Sequence, residues 1–156
     1  MSPQFTEMSK IATNYCNMIE SVQDADFSWL ERMERLLPKL HAAISALGDP
    51  DSAKEFSLAP DLDARFELFV ELRRLLGHRD GYWMEFDVAQ DGQTMTGSLA
   101  DDLTDIYCEL KHGLLLMDHE PGRAIDDWTS GYKVHWGQHL VDAERHLYEL
   151  RSRDQL

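Results

Sequence analysis

The chain has 156 residues, 15 basic and 29 acidic, for a net charge of −14; that size fits one domain with its own core, needing no disulfide or metal to fold. The charge repels nucleic-acid phosphates and anionic membrane surfaces, and no apolar run approaches the roughly 20 residues of a membrane helix. No nucleic-acid or membrane partner is therefore expected.

Met1-Ser2-Pro3-Gln4-Phe5 contains no basic segment leading into an apolar stretch, so no signal peptide is expected and the chain reads as cytoplasmic. Phe5, Met8, Ile11, Tyr15, Ile19 and Val22 recur every three or four residues, the mark of one buried face on a first helix ending near Ser21. Ser28 followed by Glu31 has the form of a capping box. It opens a second helix carrying Leu30, Met33, Leu37, Leu40, Ile44 and Leu47 up to Gly48, with Pro38 expected to bend or interrupt it. Gly48, Pro50 and Pro60 among polar residues mark a connecting loop. A third helix starts near Asp61, with Leu62, Phe66, Phe69, Val70 and Leu76 as its apolar face and Gly77 as its C-terminal cap.

Between His78 and Gly97, Tyr82, Met84, Phe86 and Val88 alternate with Trp83, Glu85 and Asp87. This reads as a short strand, or equally as an extended aromatic loop, because no pairing partner is evident. Ser98 then caps a fourth helix that places Leu99, Leu103, Ile106, Leu110, Leu114 and Met117 on one face. After a tight link, Pro121 starts a fifth helix burying Trp128, Tyr132, Trp136, Leu140, Ala143, Leu147 and Leu150. Its Gly131 and Gly137 allow a close backbone approach or a kink. Cys16 and Cys108 lie inside helical patterns and read as reduced, structural thiols. The expected fold is all-α: one domain, residues 1–156, a bundle of about five helices with an aromatic loop or short strand between the third and fourth.

Two polar stripes stand out against this frame. Asp102, Asp105 and Glu109 stack on one side of the fourth helix, and His135, His139, Asp142 and His146 on one side of the fifth. An acidic stripe repels itself by a few tenths of a kcal/mol per pair, so it calls for compensation, and the histidines are the obvious source. Counting either side of the turn near His119 to Pro121 sets Asp105 level with His135 and Asp102 level with His139. Such a meeting can be a structural network of hydrogen-bonded pairs. It can hold a divalent metal, with His135, His139, Asp102 and Asp105 as ligands for zinc, manganese or iron. It can also form an acid-base or ligand pocket without metal; in the metal reading, Glu109 or Asp142 serves as the base or supports the ligands from behind. Trp128, Tyr132 and Trp136 read as packing, and Lys111, Asp118 and Glu144 as solvated surface charges. There is no phosphate loop, no Cys-x-x-Cys, no His-Glu-x-x-His and no nucleophile elbow.

The run Ser98-Leu99-Ala100-Asp101-Asp102-Leu103-Thr104-Asp105-Ile106-Tyr107, with Glu109-Leu110-Lys111 and His135-Trp136-Gly137-Gln138-His139, resembles a bacterial family catalogued as domain of unknown function 5063. The resemblance implies a helical fold and assigns no activity. Glu31-x-x-Glu34 and Asp102-x-x-Asp105 are also similar in form to the magnesium-binding motifs of all-helical nucleotide pyrophosphohydrolases. The leading expectation is a protein acting through protein contacts or a small ligand, as a homodimer or with another protein. It rests on the missing catalytic motifs and on the aromatics from Tyr82 to Phe86. The alternative is a metal-dependent hydrolase with its His/Asp site between the fourth and fifth helices.

Overall fold

Ser2 accepts a hydrogen bond from the Phe5 amide at 3.2 Å and, with Pro3 in the first turn, starts helix α1 (Pro3–Glu20). In the computed structural model, which describes residues 2–50, 61–87 and 93–156, it is followed by a 3₁₀ turn (Val22–Asp24) and α2 (Trp29–Leu47). Next come α3 (Leu62–Leu76), the strands β1 (Gly81–Asp87) and β2 (Gln93–Ser98), and α4 (Leu99–Met117). The expected fifth helix is α5 (Pro121–Gly131), a π turn (Tyr132–Trp136) and α6 (Gly137–Ser152) in continuous succession. The fold is the expected all-α bundle with a short β segment between the third and fourth helices. Among the described residues, no helix is long and apolar enough to cross a membrane.

The core is filled from all six helices and the π turn, with Trp29, Trp128, Trp136, Tyr15 and Phe5 among its largest buried side chains. The ring polar groups of three of them find backbone carbonyls: Tyr15 Oη reaches Leu103 at 2.7 Å, Trp128 Nε1 Leu110 at 3.2 Å, and Trp136 Nε1 Trp128 at 3.1 Å. Cys16 and Cys108 carry free thiols.

Several local expectations are corrected. Ser28 forms no capping box: its hydroxyl and amide both bond Asp26, at 2.7 and 3.0 Å, in a side-chain turn ahead of α2. Pro38 does not interrupt α2, which runs on to Leu47. On α3, Leu62 and Phe66 are 72% and 64% exposed, and the buried side is Leu72 and Leu76 with half-buried Leu68, Phe69 and Leu75. The first turn of α3 is tied to α4 by Arg65 rather than by apolar packing. Glu144 is no free surface charge either, since it holds His41 Nδ1 at 2.8 Å, whose Nε2 meets the Tyr132 hydroxyl at 3.2 Å. The connecting loop after Gly48 and Val88 of the alternating pattern lie largely or wholly outside the described residues.

The strand expected without a partner has one: β1 pairs antiparallel with β2, setting Tyr82 opposite Gly97 and Trp83 opposite Thr96. Alternation separates the two aromatics, leaving Tyr82 buried and Trp83 69% exposed. The Tyr82 ring lies where a Cβ at residue 97 would sit, so Gly97 is what lets it reach inward.

The π turn has a sequence cause. Trp128, Tyr132, Trp136 and Leu140 repeat every four residues, and in an α-helix each such step overshoots by about 40°. One wider turn absorbs the drift and keeps the stripe on the core. Gly137 makes room for it, because a Cβ there would stand 2.5 Å from the Tyr132 carbonyl oxygen.

Candidate functional site

Helix α4 starts firmly. Ser98 Oγ accepts from the Asp101 amide at 3.2 Å, and the buried Asp80 carboxylate accepts from the Ala100 amide at 2.7 Å and from Ser98 Oγ at 2.9 Å. The register that follows places Asp102, Asp105, Glu109 and His112, spaced by three and four residues, along the side of α4 that meets α5, the π turn and α6.

The two stripes meet. His139 Nδ1 lies 2.7 Å from Asp102 Oδ1, as expected, and its Nε2 lies 3.1 Å from Asp105 Oδ2, so two carboxylates grip one imidazole. His135 Nδ1 pairs with Glu109 Oε1 at 2.7 Å, one helical turn from the expected Asp105. The two imidazoles meet edge-on with centroids 5.0 Å apart. His112 continues the ladder onto Asp127 of α5 at 3.0 Å. His146, also expected in the stripe, is buried and turns away to the Arg79 carbonyl at 2.7 Å.

Two residues that the sequence did not flag complete the cluster. Tyr82 of β1 donates to Asp102 Oδ2 at 2.5 Å, so both oxygens of that carboxylate are engaged. Arg65 of α3 donates to Asp105 Oδ1 at 2.7 and 3.0 Å and to Asp101 Oδ1 at 2.8 Å. The inward phase of the β1 alternation was a signal for Tyr82; nothing local marks Arg65. Around these groups a cleft of about 530 Å³ opens, lined among others by Phe69, Met84, Val134, Gln138 and Asp142. Glu31 and Glu34, the other half of the pyrophosphohydrolase-like pattern, are held instead by Arg151, at 3.5 and 2.5 Å. Arg151 lies twelve residues past His139 on α6, about 18 Å along a helix, so the two carboxylate motifs do not converge.

Charge in the cluster is set by burial against pairing. Burial disfavours a charged His139, but its hydrogen bonds to Asp102 and Asp105 and their charges outweigh it and push the imidazole up to about 10. Burial raises Asp105 too, yet His139 and Arg65 hold its carboxyl below the usual value. For Asp102 burial prevails and the carboxyl is raised. Glu109, buried beside Asp127 and Asp105, is pushed up to about 8, while burial and the charge on His139 lower His135. Glu109 Oε2 has no hydrogen-bond partner among the described residues.

A consequence is measurable. A carboxyl raised from 4.5 to about 8 contributes stability below pH 4.5 that is lost as pH climbs through 8. Glu109→Gln is therefore expected to match the native protein in urea unfolding near pH 4 and to exceed it near pH 9 in metal-free buffer. A variant weaker at both pH values would show that the ionised carboxylate is needed.

The sequence comparison covers nearly the whole chain: residues 1–153 match the family model described as "Domain of unknown function (DUF5063)". No curated protein matches the chain. Among solved structures it is similar to the crystal structure of protein BF1032 from Bacteroides fragilis, with a TM-score of 0.76 at 18% identity over 96% of this chain and 92% of that one. That likeness is one of fold. Matched from end to end by the family model, the chain belongs to the family of domain of unknown function 5063.

Proposed function

We propose that this protein holds one divalent transition-metal ion through His135, His139 and Asp105, and that the ion serves hydrolysis of a small molecule taken into the adjoining cleft. The observation that carries this reading is a set of donor atoms: one from each of these three residues, all within 4.8 Å of one another. The Nδ1 of each imidazole is held from behind by a carboxylate of α4 at 2.7 Å, the arrangement by which carboxylates orient metal-binding histidines. Asp102 and Glu109 are then orienting groups rather than ligands. A second set, Asp101, Asp102 and His139, also converges, but Asp102 already spends both oxygens on His139 and Tyr82.

Two nitrogens and one oxygen suit zinc, manganese or iron better than magnesium. An ion so held would supply Lewis acidity and activate water, a chemistry that needs an open position beside a substrate cleft. Zinc loading followed by gel filtration and elemental analysis is expected to leave about one ion per chain, with little in His135→Ala or His139→Ala. Metal content unchanged in His139→Ala would overturn the assignment.

Self-association is a second reading, favoured by one observation: Val134, Val141 and Tyr148 are exposed and recur every seven residues along the outer face of the π turn and α6. Sedimentation equilibrium of the native protein against Val141→Lys tests it. The reading expects a native dimer that the variant dissociates, and a native monomer would remove it.

A further inference from the structure

Asp142 stands apart from every other carboxylate of the cleft. Arg65 binds Asp101 and Asp105, and His139 binds Asp102 and Asp105. Asp142 lines the same cleft from α6, half-buried, and has no hydrogen bond or ion pair among the described residues. Arg145 lies over the Tyr82 ring with its guanidinium carbon 5.7 Å from the centroid and reaches Glu149 at 3.5 Å; burial raises the Asp142 carboxyl, and the charges of Arg145 and His139 offset that only in part.

The charge count makes the cleft selective. Arg65 and His139 already serve three carboxylates, Asp101, Asp102 and Asp105, and neither forms an ion pair with Asp142. An anionic ligand therefore meets carboxylates, and a neutral one leaves a partly desolvated carboxylate unpaired. The walls are different: Phe69, Met84 and Val134 line the same cleft as Asp142 and offer apolar contact. A volume of about 530 Å³ falls within the range of small-molecule sites.

We infer that the cleft binds a small organic cation, a primary ammonium or guanidinium carried on an apolar body, with its charge against Asp142 and its body against Phe69, Met84 and Val134. This deepens the metal reading by naming the ligand class of the same cleft, and its recognition group is a residue outside the proposed metal ligands. It does not need the ion to be present.

The test uses benzylammonium as the probe and benzyl alcohol and benzoate as its neutral and anionic counterparts, titrated by NMR into the full chain with and without zinc. Benzylammonium is expected to shift resonances of Val134, Gln138 and Phe69 with saturation, and to bind at least about tenfold more tightly than either counterpart. Asp142→Asn should remove that preference while leaving zinc content and circular dichroism unchanged. Equal binding of benzyl alcohol, an unaffected Asp142→Asn variant, or no saturable shift with any probe would overturn the proposal. Loss of amine binding by the native protein on zinc loading, together with a zinc content lowered by Asp142→Asn, would assign this carboxylate to metal instead. Because the metal-free arm stands alone, failure of zinc to bind at His135 and His139 would refute the metal reading without touching this one.

Discussion

Replacing His139 by alanine is expected to lower the unfolding free energy by about 3 kcal/mol near neutral pH in metal-free buffer, the cost of stranding buried charge when one partner of an ion pair is removed. The residue is the shared cation of Asp102 and Asp105, and Asp102 is buried with a carboxyl already raised. The pH dependence has a definite sign. An imidazole raised from 6.5 to about 10 contributes stability that is complete below pH 6.5 and is lost as pH rises through 10. Urea unfolding of the native protein should therefore weaken between pH 7 and 10, and that decline should be smaller in His139→Ala, which keeps only the part due to Glu109. Parallel pH profiles for the two proteins would mean that the imidazole is not held charged between the carboxylates.

Gly137→Ala is expected to be the other costly substitution, at about 3 kcal/mol, as for a methyl forced into packed surroundings. The added Cβ would lie 2.5 Å from the Tyr132 carbonyl oxygen and 3.1 Å from its ring. Backbone cannot yield there without closing the π turn, and closing it rotates Trp136 out of the core and His135 away from Glu109. Gly122→Ala is the control, since a Cβ at that position meets nothing within 4 Å. Thermal unfolding of the two variants separates the effects of clash and helix propensity. Equal midpoints would show that the π turn does not depend on Gly137.

What the sequence made readable follows from where its information is local. The helices declare themselves because a buried face repeats at their own period, as Phe5 to Val22 and Leu99 to Leu110 do. The pairing of Asp102 with His139 was reachable because a tight link between antiparallel helices fixes level by counting. The same count set His135 against Asp105 rather than Glu109, because counting fixes level and not the direction in which a side chain leaves the helix, and the helix widens into a π turn at Tyr132–Trp136. The four-residue spacing of Trp128, Tyr132, Trp136 and Leu140 carried the correction in plain sight. Strand β2 was missed for another reason: its Thr94, Met95, Thr96 and Gly97 show no apolar alternation, and the pairing that makes it a strand is with another segment. Arg65 lay beyond reach in the same way. Its role is set by which face of α3 meets α4, and the apolar residues beside it, Leu62 and Phe66, pointed to a different face.

The stripes first read from spacing alone thus become a ladder in space: His112 with Asp127, His135 with Glu109, His139 with Asp102 and Asp105, and Tyr82 with Asp102. A structural network alone would be served by these pairs as they stand. The metal reading asks more of them, namely that His135 and His139 turn toward a common point with Asp105.

X-ray absorption at the zinc edge of the zinc-loaded protein examines that point most directly. A shell of nitrogen and oxygen at about 2.0–2.1 Å with the outer scattering of two imidazoles is expected, with little zinc absorption left in His135→Ala treated in the same way. A spectrum without imidazole scattering, or one unchanged by His135→Ala and His139→Ala alike, would contradict the metal reading.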